Sequence, residues 1–323
     1  MIRVGLIGCG EHSEIGHAVP LARYKAEHPE HLELTAACDL RKERAEYFCK
    51  TYGFRRSYAD VSTMLSSEQL NLCIAVVPVD KISALGIELL QRGTACVVEK
   101  PLGATFVEAT ALRDRARLTR TANMVSVNRR FMPWLNNAIQ WARSIGEVRY
   151  VRAVMSRDAR TEPEFFWETA VHSVDALRHI AGNIKQASFR RMPHATGVNW
   201  YGMDIEFDEN GVFGRVDVLP TSGVLEETYE ICGEGFRAIV TCPFGPERTL
   251  RCYQQGRLVL RETDKNIPED VVFGFYDEAR SAIRNLLEKD LLSPTIEDVY
   301  PSVEMCFSAK QNHLLSEFAA QHS

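Results

Sequence analysis

One segment in the middle of the chain carries carboxylates and imidazoles at the spacing of a single helix face. The segment is FFWETAVHSVDALRHIAG, residues 165–182. At about 100° per residue, four of its side chains fall within about 60° of one another: Glu168, His172, Asp175 and His179. An imidazole can accept a proton from a reacting hydroxyl near neutral pH, and a carboxylate one turn away can orient it. The stripe therefore carries groups that are capable of acid–base chemistry, although the pattern taken alone favours a surface helix.

The same stripe has two other interpretations. A surface helix with Glu and His paired at i, i+4 would show the same pattern. Zinc binding is a weaker alternative, because no HExxH motif and no second His/Asp cluster completes a set of ligands. Phe165, Phe166 and Trp167 precede the stripe and could wall an apolar cleft. We therefore predict no metal and keep the surface-helix interpretation open.

A second group of charged residues follows a run typical of a buried strand. In VVEKPLG, residues 97–103, β-branched residues that suit a central parallel strand are followed by Glu99 and Lys100. In open α/β sheets the ligand crevice lies outside the carboxyl ends of the strands. The charged pair there is either part of a binding site or an ion pair that caps the rim of the sheet.

The first predicted strand runs into a glycine-containing turn. The turn, GCGEHS at residues 8–13, matches the GxGxx(G/A) fingerprint except that Ser13 holds the third small position. Gly8 and Gly10 permit a tight turn that brings backbone N–H groups and a helix N-terminus to a pyrophosphate. An ordinary strand-to-helix turn is the alternative.

Asp39 follows the second predicted strand and bears on the choice of nucleotide. Its carboxylate can accept hydrogen bonds from both adenosine ribose hydroxyls and would repel a 2'-phosphate. It could also cap the helix predicted to begin at Arg41. The sequence therefore favours NAD as the cofactor. NADP remains possible, because the basic residues Arg41 and Lys42 lie close to Asp39 in the chain.

The elements that must position these residues follow two patterns, and the first extends to about residue 128. Short apolar β-rich runs alternate there with helical segments, which indicates a parallel doubly wound sheet. The predicted strands are Ile2–Ile7, Leu32–Cys38, Leu70–Val77, Thr94–Val98 and Asn123–Val127. The predicted helices are Arg41–Tyr52, Lys81–Gln91 and Phe106–Arg120.

The second pattern predicts a mostly antiparallel sheet. A helix at Trp134–Ser144 leads to a strand at 148–157, and hairpin signals follow at 208–211 and 254–256. Helices at about 275–289 and 297–318 end the chain. We therefore expect a dinucleotide-binding domain at 1–124 and a substrate-binding and oligomerisation domain at 125–323.

Composition limits the class of protein. The chain has 323 residues, of which 45% are hydrophobic and 25% charged, and this balance suits a soluble globular protein of two domains. A formal net charge of -5 without a basic block argues against nucleic-acid and membrane partners. Nine cysteines without CxxC spacing, and an N-terminus without a signal-peptide pattern, predict reduced thiols in the cytoplasm.

Taken in order, these motifs resemble the Gfo/Idh/MocA family of NAD(P)-dependent oxidoreductases over essentially the whole chain. They are GCGEHS, Asp39, EKP at 99–101 and ExxxHxxD at 168–175, with Pro78 and NRRF at 128–131 as supporting details. The sequence departs from the family pattern at Ser13, in the third small position, and at Glu168, where many members have Asp.

The resemblance implies an N-terminal Rossmann domain and a C-terminal α/β domain whose large open sheet forms homodimers or homotetramers. It implies hydride transfer between NAD(P) and a secondary alcohol or ketone of a sugar, sugar acid, glycoside or cyclic polyol. In this chemistry Lys100 stabilises the alkoxide and positions the reacting carbon, His172 carries the proton, and Glu168 orients His172. Glu99 is expected to hold the lysine in place.

The resemblance also assigns binding residues. Those expected to bind the cofactor are Gly8, Gly10, Glu11, His12, Ser13, Asp39, Pro78, Glu99 and Lys100. Those expected to bind substrate are Lys100, Asn128, Arg129, Trp167 and His172.

Two rival functions remain open at the level of sequence. The first is a non-catalytic protein of the same fold that senses NAD(P) or a sugar. Such a protein would be expected to lose the lysine or the histidine, and both are present. The second is a redox-neutral enzyme that uses NAD transiently to cleave a glycoside.

Overall fold

The structure, a computed structural model, describes residues 1–162, 164–193, 198–208, 211–264 and 267–310. The chain forms two compact units. The first contains Met1–Asn128 and Gly274–Tyr300, and the second contains Arg129–Phe273 and the residues from Pro301 onward. The boundary predicted after residue 124, between the dinucleotide-binding domain and the second domain, remains a prediction.

The first unit is built on a six-stranded parallel sheet. Its strands are β1 (Ile2–Ile7), β2 (Leu32–Cys38), β3 (Arg56–Tyr58), β4 (Leu72–Ala75), β5 (Cys96–Glu99) and β6 (Asn123–Ser126). They lie in the order β3-β2-β1-β4-β5-β6, so the direction of winding reverses between β1 and β4. Ligands of doubly wound sheets bind at such a switch point, beyond the carboxyl ends of the strands.

Helices connect these strands. They are α1 (Glu11–Ser13), α2 (Val19–Glu27), α3 (Lys42–Tyr52), α4 (Val61–Ser67), α5 (Val79–Gln91) and α6 (Phe106–Thr119), with a π-helical turn at Glu14–Ala18. Central strands are buried over their whole length, as in β4, because helices cover both faces of a parallel sheet.

The second unit contains an eight-stranded sheet. Its strands are β7 (Val148–Ser156), β8 (Ile184–Pro193), β9 (Asn199–Phe207), β10 (Phe213–Leu219), β11 (Glu226–Gly233), β12 (Phe236–Thr241), β13 (Thr249–Gln254) and β14 (Arg257–Thr263). The order is β14-β13-β12-β11-β7-β10-β9-β8. Every pair is antiparallel except β7 with β10, which is parallel.

The remaining helices begin at residue 133. They are α7 (Pro133–Ile145), α8 (Phe165–Thr169), α9 (Val171–Ala181), α10 (Glu269–Val272), α11 (Phe275–Glu288) and α12 (Ile296–Lys310), with a 3-10 turn at Asn128–Phe131. Within the second unit, α7 and α9 pack on the sheet. The buried side of β7 is formed by Val151, Ala153 and Met155, while Arg152 and Val154 on the other side are partly exposed.

The predicted fold class is confirmed: a parallel Rossmann sheet is followed by a large, mostly antiparallel one. The predicted bounds of β1 and β2 agree with the structure. The hairpin signal at 254–256 is also confirmed, because Gln255 and Gly256 form a two-residue turn, both with positive φ. The hairpin signal at 208–211 and the end of the last helix lie partly outside the described residues.

Three short elements were missed or misplaced in the prediction. The edge strand β3 and helix α4 have no strong periodicity and were not predicted. The helical segment from 11 to 27 was not among the predicted helices either, since it contains Gly16, Pro20 and a π turn that disturbs the 3.6-residue period.

Candidate active site

Gly8 begins the turn that follows β1. It has a φ of +88°, and a Cβ atom added there would lie 1.9 Å from the carbonyl oxygen of Val76. Its N–H donates to the carbonyl of Cys38 at 2.8 Å. Only glycine can occupy this position, so the turn lies directly against the backbone that follows β4. Pro78, two residues beyond Val76, is the N-cap residue of α5.

Asp39 holds the same turn from the end of β2. Its Oδ2 accepts a hydrogen bond from the Cys9 N–H at 2.8 Å, and its Oδ1 accepts one from the Arg41 N–H at 2.9 Å. The predicted alternative of a helix N-cap is wrong in its detail, because the N-cap residue of α3 is Arg41 and Asp39 lies two residues earlier. Two backbone amides thus fix the carboxylate in one orientation, next to the glycine turn.

Ser13 is fully buried in the helix that follows the turn. Its hydroxyl group finds no hydrogen-bond partner among the residues that the structure describes. A buried hydroxyl without a partner is unfavourable by itself, because the desolvation of the group is not compensated. The smaller side chain usual at this position would not face that cost.

A π-helical turn brings two histidines to one carboxylate. Helix α1 continues through the π turn at Glu14–Ala18 directly into α2. Side chains five residues apart diverge by about 140° on an α-helix, and a π turn narrows that angle because it closes i to i+5 hydrogen bonds. His12 and His17 are five residues apart, and their Nε2 atoms lie 3.2 Å and 2.7 Å from Oε1 of Glu99.

The neighbours of the π turn keep it in place. Tyr47 and Tyr52 of α3 both donate their hydroxyl hydrogens to Oε1 of Glu14, at the start of the turn. Gly16 lies where a Cβ atom would be 3.5 Å from the Phe275 ring and 3.7 Å from the His12 ring. The turn is therefore packed on both sides, and it presents His17 to the end of β5.

Glu99 is a buried carboxylate that remains charged. Burial alone would raise its pKa, but the His12 charge and the hydrogen bonds from His12 and His17 outweigh that effect and hold the pKa well below the usual range. Lys100 follows it directly, and the Lys100–Pro101 peptide bond is cis. Since Glu99 is fixed by both histidines, the strand end that carries Lys100 is fixed as well.

In the second unit, α9 differs from the amphipathic helix that the sequence predicts. Ten of its eleven residues are buried, including His172. The surface-helix interpretation of the polar stripe is therefore wrong, because the helix has no solvated face. Trp167, immediately before the stripe, is also buried, whereas Glu168 is partly exposed.

Two members of the stripe have structural partners. Asp175 accepts hydrogen bonds from Nε and Nη2 of Arg130, both at 2.7 Å, and one from the Ser302 hydroxyl at 2.8 Å. Burial would raise the pKa of Asp175, but the charge of Arg130 and its hydrogen bonds lower it. His179 contacts Oδ1 of Asn136 through Nε2 at 2.9 Å.

The charge state of His179 follows from its surroundings. Burial, together with the positive charge of Arg130, lowers the pKa of His179 to about 4. The imidazole is therefore neutral near pH 7. Glu168 and His172 stay the members of the stripe that the sequence predicts to be catalytic.

Arg129, predicted to bind substrate, lies in a buried ion cluster. Its Nη2 and Nε donate to Glu227 at 2.8 Å and 3.1 Å, and Arg157 donates to the same carboxylate. Burial would raise the pKa of Glu227, but the two guanidinium charges lower it to about 2. The Tyr229 hydroxyl also donates to Glu227, at 3.0 Å. These contacts indicate a structural role for Arg129. Asn128, its neighbour in the chain, is buried in the first unit.

His17 is the residue that sequence reasoning missed. A spacing of five between His12 and His17 does not match the period of an α-helix, so the pair carried no helical signal. The available signal was the pair of histidines itself, flanking Gly16 in a segment that begins at a glycine turn. The structure brings the turn, Asp39, His12 and Glu99 to the carboxyl ends of β1, β2 and β5.

Comparison with known proteins agrees with this geometry. Residues 2–128 match the Gfo/Idh/MocA model described as "Oxidoreductase family, NAD-binding Rossmann fold". Among curated relatives, a 4-carboxy-2-hydroxymuconate-6-semialdehyde dehydrogenase of Sphingobium is 25% identical over 49% of this chain and 54% of its own. A D-apiose dehydrogenase of Paraburkholderia graminis is 25% identical over 72% of this chain and 64% of its own. The matched segments thus span about half to two thirds of these relatives.

A solved structure extends the likeness in fold to nearly the whole chain. A levoglucosan dehydrogenase in complex with NADH and levoglucosan superposes with a TM-score of 0.81 at 17% identity, covering 96% of each chain. No helix in the described part of the chain is both long and apolar enough to cross a membrane. The Rossmann segment, residues 2–128, thus belongs to the NAD-binding part of the Gfo/Idh/MocA oxidoreductase family.

Proposed function

We propose that this protein is an NAD-dependent dehydrogenase that moves a hydride between the cofactor and a secondary alcohol or ketone of a sugar, sugar acid, glycoside or cyclic polyol. The observation that carries the proposal is the turn at Gly8, which no other residue fits and which Asp39 holds by the Cys9 amide. The names of two relatives, D-apiose dehydrogenase and levoglucosan dehydrogenase, support the class of substrate.

The residues present fit a dinucleotide. The close approach of the Gly8 backbone to that of Val76 leaves no room for a side chain in the turn, as backbone binding of a pyrophosphate requires. Asp39 would accept the ribose hydroxyls with the lone pairs that its two backbone donors leave.

The bound cofactor would supply a nicotinamide ring that accepts or gives the hydride. The protein's own side chains would supply the charged and proton-accepting groups. The Lys100 ammonium would stabilise the oxygen of the substrate as it loses its proton, and His172 would accept that proton. Glu168, one helical turn before His172, would orient the imidazole.

The first experiment finds the substrate and the preferred cofactor. Polyols, aldoses, sugar acids and glycosides are screened for NAD+ reduction, and NAD(H) and NADP(H) are titrated by intrinsic fluorescence. We expect tighter binding of NAD(H), because the Asp39 carboxylate repels a 2'-phosphate, and we expect Asp39→Ala to reduce that preference. Cofactor that is recycled within each turnover, rather than reduced in proportion to product, would indicate redox-neutral chemistry instead.

The second experiment tests the two charged groups. Lys100→Met and His172→Ala should each lower kcat by roughly a hundredfold while NAD affinity stays near wild type. His179→Gln, on the same helix but bonded to Asn136, is the matched control and should retain kcat. Wild-type turnover in both Lys100→Met and His172→Ala would overturn the proposed roles, whereas NAD(H) binding without turnover of any substrate by the wild type would favour a sensor of the same fold.

We also propose that the protein is a cytoplasmic homodimer or homotetramer that associates through the outer face of the second sheet. That face is rich in ion pairs, among them Arg152–Asp217 at 2.8 Å and Arg237–Glu230 at 2.8 Å. Light scattering gives the mass, and Val154→Asp should release monomers, since Val154 lies among these charges. If the wild-type protein is a monomer, the ion pairs within one chain are sufficient to balance the charges of this face without a second chain.

A further inference from the structure

His12, His17 and Glu99 form a cluster of potential metal ligands at the end of β5. One atom from each residue, two imidazole Nε2 atoms and a carboxylate oxygen, lies within 4.8 Å of both others. The two imidazole rings are perpendicular, with centroids 6.3 Å apart, so they approach the carboxylate from different directions. Two histidines and one carboxylate are a frequent set of protein ligands for zinc and for other divalent transition metals.

The distances are close to those that a metal requires. Zinc binds nitrogen and oxygen ligands at about 2.0–2.2 Å, which places pairs of ligand atoms about 3.4 Å apart in a tetrahedral site. His12 Nε2 already lies 3.2 Å from Glu99 Oε1, and His17 Nε2 lies 2.7 Å from it. The side chain of His12 is 53% exposed and can adjust its position. Two of the three ligands, His17 and Glu99, are therefore buried and fixed in position. The third, His12, lies on the side of the site that faces solvent.

The π turn strengthens the case because it pre-organises both imidazoles. In a continuous α-helix the side chains of His12 and His17 would point in different directions, so the binding of an ion would have to distort the helix to align them. Here the alignment is already held by the tyrosines on Glu14 and by the packing of Phe275 against Gly16 and His12. A cluster that is ordered before the ion arrives loses less conformational entropy on binding.

A second cluster in the described residues offers a contrast within the same chain. His28, Glu30 and His31 also lie close together, but their imidazole rings are stacked at 16° and the Glu30 side chain is 68% exposed. His31 also contacts the Tyr24 hydroxyl through Nδ1 at 2.9 Å. Stacked rings point their nitrogens in parallel, which suits a shared ion less well than perpendicular rings do.

We propose that His12, His17 and Glu99 form a binding site for a divalent transition-metal ion of the zinc type, with water completing the coordination. The ion would occupy the face of the helix beside the glycine turn. This site goes beyond the proposed dehydrogenase function, and its existence does not depend on that function.

The test is calorimetric titration of Zn2+ into the chelator-treated full chain at neutral pH, with no substrate or cofactor present. We expect one ion per chain at this site, and His12→Ala should weaken its binding by at least about tenfold, as the loss of a ligand does. Because His12 is half exposed, this variant should fold, and thermal melting of the metal-free protein checks that it does. Glu99→Gln provides a second variant that keeps the shape of the side chain.

The control variant is His28→Ala, which alters only the second cluster and should leave this binding event unchanged. The proposal is overturned if the wild type binds no Zn2+, or if His28→Ala abolishes binding while His12→Ala and Glu99→Gln retain wild-type affinity. Zinc binding in a protein that reduces no cofactor with any substrate would remove the dehydrogenase proposal and leave the metal site standing.

Discussion

Glu99 in the first unit and Glu227 in the second are buried carboxylates, each held by two basic side chains, but the kind of base differs. Glu227 lies between Arg129 and Arg157, whose guanidinium groups keep their charge at every accessible pH. Glu99 lies between two imidazoles, whose Nε2 atoms are 3.2 Å and 2.7 Å from its Oε1. The arginine cluster thus connects β11 to the segments carrying Arg129 and Arg157 through permanent charges, whereas the histidine cluster connects the end of β5 to the helical segment that carries His12 and His17.

The comparison predicts the largest effect at Glu227. Glu227→Gln leaves two buried guanidinium groups without a countercharge, and breaking a buried pair in this way costs about 3–5 kcal/mol. Urea unfolding of the variant should show that loss of stability with an unchanged m-value. A loss below about 1 kcal/mol would mean that solvent or another carboxylate compensates the arginines.

A second prediction concerns pH, and it uses His179, an imidazole whose pKa burial and the charge of Arg130 lower by more than the charge of Asp175 raises it. Unfolded, it binds a proton below about pH 6.5, whereas folded it does so only below a pKa of about 4. Its contribution to stability is therefore complete above pH 6.5 and is lost as the pH falls toward 4, by up to about 3 kcal/mol.

The measurement is urea unfolding at several values of pH. His179→Gln should flatten the plot of unfolding free energy against pH between pH 4 and 6.5, because an amide does not titrate. Glu227, with its pKa lowered to about 2, contributes stability that is complete above its unfolded pKa of about 4.3 and is lost only below it, so it cannot produce a slope between pH 4.3 and 6.5. If His179→Gln shows the same slope of unfolding free energy against pH as the wild type, other titrating groups cause the loss of stability.

The smallest effect is expected at Glu99. Glu99→Gln retains an oxygen acceptor for the imidazole N–H groups and strands no permanent charge, so the loss should be about 1 kcal/mol. Measured beside Glu227→Gln under the same conditions, it tests the comparison directly. Equal losses in the two variants would show that the identity of the base makes no difference to stability.

The sequence predicted the parallel sheet well because its strands are short, mostly apolar runs, as in Ile2–Ile7 and Leu32–Cys38. It predicted Asp39 at the glycine turn because that residue directly follows a strand. It could not separate the four polar residues of the stripe on α8 and α9, since the partners of Asp175 and His179, Arg130 and Asn136, come from other segments. Helical spacing shows which side chains share a face but not what that face meets.

The π turn accommodates one residue more than an ordinary α-helix would place between His12 and His17. Removal of Ile15, which is half exposed, would delete no contact described above and would return the helix to an ordinary period. The two histidines would then be four residues apart, a spacing at which side chains of an α-helix share one face, so both could still reach Glu99. This segment should therefore tolerate many substitutions at Ile15 and also its removal, and relatives that lack this one residue should still hold the β5 carboxylate with both imidazoles.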